Sequence, residues 1–166
     1  MKIYITGVSG TGKTSLTREL KARGINAIDL DEISYWENKV SKEKVSWEPA
    51  RSDEWLAQHS WLCDLTMLKD ILSKADHSVA CGHANNQDEY LPLFDKVFAI
   101  SCTPETIVQR ITQRTDNDFG KHPIEMERIL NWNKGFVTNM KQKGAEVLDG
   151  EKPLSEIADY IISLLK

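Results

Sequence analysis

Residues 7 to 14 read Gly-Val-Ser-Gly-Thr-Gly-Lys-Thr, the spacing G-x-x-x-x-G-K-[ST]. Glycines so placed let the backbone curl until successive N–H groups converge, and that concavity suits phosphate oxygens. A helix beginning where the curl ends adds a partial positive charge. Lys13 has the reach to meet the β- and γ-phosphates of a nucleoside triphosphate, and the Thr14 hydroxyl suits Mg²⁺. Gly7, Ser9, Gly10, Thr11, Gly12, Lys13, Thr14 and Ser15 are therefore the expected phosphate cradle.

A second cluster of chemistry-bearing residues is Ile28-Asp29-Leu30-Asp31-Glu32. At the carboxyl end of a strand, residues i and i+2 project to one side. Asp29 and Asp31 are thus expected to face the crevice above the glycine-rich loop. One carboxylate there can hold Mg²⁺ through water, a role assigned to Asp29. The other, Asp31, can take the proton of an acceptor hydroxyl.

Two classes of nucleotide protein fit poorly. A GTP-binding switch needs guanine- and γ-phosphate-sensing motifs, yet no Asp stands three residues before any Gly, and Asn133-Lys134 runs into Gly135-Phe136. A motor-type ATPase ends an apolar strand in an acid. Here the apolar runs at 79–81 and 97–100 lead into Gly82-His83 and Ser101-Cys102.

The elements that must position these groups alternate along the chain. Residues 2–6 form a β-branched and aromatic run ending at Gly7, the expected first strand. A helix follows over 13–23, with Gly24 as its stop. Further strands are expected at 25–30, 78–81, 96–100 and 145–148. Residues 31–50 read as a short helix and an exposed loop. Leu56, Leu62, Leu65, Leu68, Ile71 and Leu72 predict one long helix across 51–74. Thr103 and Pro104 predict a capped helix to about Arg114. Two more helices are expected at 124–142 and 153–165, separated from the previous one by the polar stretch 115–123. Strands alternating with helices predict a parallel three-layer α/β sheet. No repeat, low-complexity tract or linker divides the 166 residues.

Composition agrees with a compact soluble chain, 40% hydrophobic and 28% charged, with a net charge of −4. That charge disfavours a nucleic-acid protein that relies on a broad basic face. No apolar run approaches the ~20 residues that span a bilayer, and the N-terminus lacks the apolar core of a secretory signal. Cys63, Cys81 and Cys102 stand 18 and 21 positions apart and form neither a disulfide framework nor a zinc spacing. A reducing, cytoplasmic setting is the expectation.

The glycine-rich loop, Asp29-x-Asp31 and the later Arg110-x-x-x-Arg114 together resemble the small P-loop kinases: the nucleoside monophosphate kinases, shikimate kinase and gluconate kinase. The loop string is especially similar to that of gluconate kinase, and the Asp-x-Asp resembles that of shikimate kinase. The resemblance implies a five-stranded parallel sheet of order 2-3-1-4-5 with helices on both faces and a lid, here 115–123, that closes over ATP. It implies that Arg110 stacks on adenine, that Arg114 meets the phosphates from the lid base, and that Asp149 and Gly150 lie beside adenine. Lys121 would be a third lid cation. An Arg plane pairs well with an aromatic base, and a guanidinium neutralises charge on a transferring phosphoryl group.

Departures from that family limit the acceptor. Gly82-His83-Ala84 stands where shikimate kinase carries a Gly-rich triplet, and the segment characteristic of gluconate kinase is missing. Between residues 24 and 109 the only arginine is Arg51, few for a nucleoside monophosphate kinase. Lysines 39, 42 and 44 read as a solvated face. Trp36, Arg51, His83 and Asn85, beside Asp31, are the expected acceptor contacts. The expectation is a monomeric single domain, 1–166, with its acceptor-side insertion at 31–74. It uses ATP and Mg²⁺, with Lys13, Asp31 and Arg114 as the catalytic groups, to phosphorylate a hydroxyl of a small polar metabolite, with no nucleic-acid or membrane partner. A nucleoside monophosphate kinase and an ATP-binding regulatory module or slow ATPase stand as alternatives.

Overall fold

The computed structural model describes residues 1–46 and 52–166. Its main element is a five-stranded parallel sheet. The chain enters through β1 (Lys2–Thr6), crosses by α1 (Lys13–Ala22) to β2 (Ala27–Asp29), and turns through a 3-10 helix at Leu30–Ile33. An antiparallel hairpin follows, β3 (Ser34–Asn38) and β4 (Lys44–Val45), then α2 (Asp53–Gln58), β5 (His59–Cys63) and α3 (Leu65–Ser73). The main sheet resumes with β6 (Ser78–Cys81), α4 (Gln87–Tyr90), β7 (Lys96–Ser101), α5 (Pro104–Gln113), α6 (Pro123–Gln142), β8 (Glu146–Asp149) and α7 (Leu154–Leu164).

The strand order is β2-β6-β1-β7-β8. Counted within this sheet alone, that is 2-3-1-4-5, the order the resemblance implies. The central strands are apolar because both faces are covered. Ile3, Ile5, Val79 and Ile100 pack with Leu16, Leu20, Ile107, Ile111 and Ile161 on one face. Tyr4, Ile28 and Ala80 pack with Leu68, Leu72 and Tyr90 on the other.

The expected long helix across 51–74 is not formed. Two short helices flank β5, which pairs antiparallel with β3 in the register Trp36↔Trp61, giving a second sheet of order β4-β3-β5. Local caps fix these boundaries: Ser52 accepts from the Trp55 N–H, and Asp64 accepts from the N–H groups of Thr66 and Met67. The expected loop within 31–50 is largely the β3–β4 hairpin, with 47–51 outside the described residues. α6, with 20 residues, is the longest helix described.

A buried hydroxyl network fixes the edge of the sheet that faces the cleft. The Tyr4 hydroxyl donates to the Gly82 carbonyl at 2.9 Å and accepts from Gln87 Nε2 at 2.8 Å. Tyr90 packs edge-on to Tyr4, and its hydroxyl accepts the Ala84 N–H. Residues 82–87 are thereby held rigidly after β6.

Candidate active site

The loop after β1 curls as the motif requires. Gly10 and Gly12 have φ of +87° and +99°, backbone that side chains strain, and Gly12 caps α1. Lys13 folds over the loop, donating from Nζ to the carbonyls of Gly7 (2.7 Å) and Val8 (2.9 Å). Burial lowers its pKa, opposed by the charges of Asp31 and Asp29. The Thr11 hydroxyl donates to the Val8 carbonyl and braces the loop, so its side chain is structural.

A cleft of about 1410 Å³ opens above this loop. Gly7, Ser9, Gly10, Thr11, Gly12, Lys13, Thr14 and Ser15 line it, as do Asp29, Asp31, Trp36, His83, Asn85, Arg110, Arg114 and Gly150. The cradle, the acids, the two arginines and three acceptor-side residues thus share one cavity. Asp149 does not line it: that side chain is exposed, and its Oδ1 accepts the Glu151 N–H. Arg51 lies outside the described residues. Lys121 also does not line the cleft and pairs with Asp118 at 2.9 Å.

Asp29 is buried at the end of β2, and its Oδ1 accepts the Asp31 N–H at 3.1 Å. Asp31 sits on the 3-10 turn rather than on the strand, exposed to the cleft. Crowding by the cleft walls and the charge of Asp29 raise its pKa, while Lys13 pulls it down. Mg²⁺ takes one or two protein oxygens and completes its shell with phosphate and water. Thr14 and Asp29, both in the cleft wall, fit that demand.

Arg110 is pinned on three sides. Its Nη1 donates to the Thr11 carbonyl (3.2 Å) and to Cys102 Sγ (3.4 Å), and its Nη2 to the Gly150 carbonyl (2.8 Å). Arg114 caps the C-terminus of α5, and its Nη2 reaches Ser9 Oγ at 3.4 Å. Arg18 on α1 is tied to Asp116 of the 115–123 segment by a 2.8 Å ion pair.

At the acceptor end, Trp36 packs in a cluster with Trp61 (tilted, 5.5 Å) and Trp55 (edge-on, 5.0 Å). His83 lies edge-on to Trp132 at 4.6 Å. Its Nδ1 is buried without a hydrogen-bond partner, and burial with Lys13 and Lys143 nearby pushes its pKa down to about 3. Asn85 faces the cleft but spends its amide oxygen on the Trp61 N–H at 2.8 Å, docking β5 against the segment after β6. That bond holds Trp61 in place beside the cleft.

Sequence reasoning missed Arg128 and Trp132 as cleft residues, and Trp61, one of its conspicuous tryptophans, lines the cleft as well. Arg128 and Trp132 share a face of α6, and their spacing of four was a legible signal. Arg128 contacts Asp53 Oδ1 from Nη2 at 2.5 Å, bridging α6 to α2.

Comparison with known proteins agrees with this architecture. The sequence model of the AAA domain family, AAA_18, matches residues 3–131, and the chain belongs to that family. A putative adenylate kinase of Methanocaldococcus jannaschii is 26% identical over all of this chain and 86% of its own length. Among solved structures, shikimate kinase from Acinetobacter baumannii in complex with shikimate is similar at a TM-score of 0.63 and 17% identity, over 99% of this chain and 92% of that one. Deoxyadenosine kinase from M. mycoides with bound dATP is similar at 0.59 and 16%, over 99% of both chains. The family is that of the AAA domain, and the fold is one shared with small P-loop kinases.

Proposed function

We propose that the protein is an ATP-dependent phosphotransferase that moves the γ-phosphoryl group of ATP to a hydroxyl of a small polar metabolite. One observation carries the reading: the phosphate loop, Asp29, Asp31 and Arg114 converge on a single cleft whose far end is walled by Trp36, Trp61, His83 and Trp132. A nucleotide held by the loop would place its terminal phosphate between Lys13 and the paired acids.

In that arrangement the loop amides and Lys13 hold the phosphates, and Arg110 offers a fixed planar face to the base. Bound Mg²⁺ would neutralise phosphate charge beside Thr14 and Asp29. Asp31 orients the acceptor hydroxyl and takes its proton as the acceptor oxygen bonds to the γ-phosphorus. The bond from that phosphorus to the β–γ bridging oxygen breaks, leaving ADP. Arg114 supports the charge on the transferring group. Catalysis here is positioning and electrostatics.

A nucleoside monophosphate acceptor is the second reading, favoured by Arg128 in the cleft and by similarity to the putative adenylate kinase. An ADP-release screen against nucleotides, nucleosides, sugars and sugar acids separates the two. Stimulation by hydroxylated metabolites supports the first, and stimulation by nucleoside monophosphates alone supports the second. ADP release that no compound raises overturns both in favour of an ATP-binding module.

A further inference from the structure

One peptide unit ties the 115–123 segment to both Arg114 and α6. The Phe119 carbonyl accepts from Arg114 Nη2, and the Gly120 N–H, the other end of the same peptide, donates to Glu125 Oε2 at 2.8 Å. Glu125 lies in the first turn of α6 and is only 3% exposed. A carboxylate is costly to bury unless it is bonded and paired. Its charge is also one of those that offset the burial of Arg114. Gly120 is fixed in turn: its φ is +91°, and a Cβ there would lie 2.7 Å from Ile129 Cδ1. Arg114 meanwhile reaches Ser9 of the phosphate loop, and its Nε is buried without a hydrogen-bond partner. An unsatisfied buried donor costs about 1–3 kcal/mol, so this N–H is a ready site for an incoming anion.

We infer that Glu125 is a positioning residue. By gripping the Gly120 N–H it orients the Phe119 carbonyl, which aims the Arg114 guanidinium at the phosphate loop. The buried Nε–H then serves the terminal phosphate of the nucleotide. The inference rests on the proposed binding of ATP by residues 7–14, and it adds a residue that itself touches no nucleotide.

Calorimetric affinities for Mg-ATP and Mg-ADP test it without an acceptor. Wild type should favour ATP over ADP. Arg114→Ala should reduce that preference about tenfold, and Glu125→Ala should reduce it nearly as much while ADP affinity changes by less than about threefold. The double variant should be no worse than Arg114→Ala alone, because both act through one guanidinium. Glu125→Gln, which keeps an acceptor oxygen at the same reach, should retain the preference. If Glu125→Ala does not fold, Glu125→Asp, which withdraws the grip by one methylene, carries the same comparison. Additive losses in the double variant, or an ATP preference untouched by the Glu125 change, overturn the inference alone. Failure of wild type to bind ATP overturns the phosphotransferase reading beneath it.

Discussion

Asp29 and Asp31 share a turn in which the first orients the second: Asp29 Oδ1 accepts the Asp31 N–H at 3.1 Å. The bond pins the backbone of the exposed acid to the buried one and brings two negative charges together beside Lys13. Desolvation by the surrounding cleft walls and the Asp29 charge hold the Asp31 carboxyl above the ordinary carboxylate range. A base so tuned accepts a proton more readily than a free aspartate does.

Asp31→Asn should therefore lower turnover by about 10²–10⁴-fold, the usual span for a lost general base, with ATP affinity retained. Wild-type turnover should decline as pH falls through the raised Asp31 pKa, because the protonated carboxyl cannot take a second proton. That acidic limb should begin at higher pH than for an ordinary aspartate and vanish in the residual activity of the variant. A pH–rate profile of ADP formation checks both.

Lys13→Ala should weaken Mg-ATP binding by about 10²-fold, since a charge-assisted contact to phosphate is worth roughly 1.5–3 kcal/mol. Arg110→Ala should also weaken ATP, but through the base. Its loss from inorganic triphosphate binding should be small where that of Lys13→Ala is large. Titration with ATP and triphosphate distinguishes the two residues.

His83 makes stability depend on pH. Its folded pKa of about 3 lies below the ordinary value of 6.5, so the unfolded chain binds a proton that the folded chain refuses. Stability is full above pH 6.5 and falls as pH drops towards 3, by about 1.4 kcal/mol per unit from this residue, or about 2 kcal/mol at pH 5. His83→Phe should flatten that part of the slope. Thermal midpoints of both proteins between pH 7 and pH 5 give the comparison.

Tyr4→Phe should destabilise the fold by about 1–3 kcal/mol, because the Gly82 carbonyl and Gln87 amide would lose a buried partner. Loosening residues 82–87 moves His83 and Asn85, so KM for the acceptor should rise while KM for ATP stays close to wild type. Denaturant unfolding and two-substrate kinetics read these effects separately.

How much of this was legible before the chain folded follows from the range of the forces involved. Gly7 to Thr14, Thr103 with Pro104, and the apolar runs of β1, β6 and β7 carry their instructions within a few residues, through φ freedom, capping and β-branched packing. From them the sequence itself determines the phosphate loop, the parallel sheet and the Arg110–Arg114 face. Residues 51–74 do not work this way. Their leucines suit a helix, but β5 wins because β3 and the amides of Asn85 and Asn86 supply its backbone partners from 21 to 29 residues away. Tertiary structure alone decided that Asp31 sits on a turn, that Asn85 serves Trp61, that Asp149 faces away from the cleft, and that Arg128 and Trp132 enter it. The places of Asn85, Arg128 and Trp132 depend on hydrogen bonds or packing between segments distant in sequence, and those of Asp31 and Asp149 on short-range bonds to Asp29 and Glu151 that residue spacing alone does not encode.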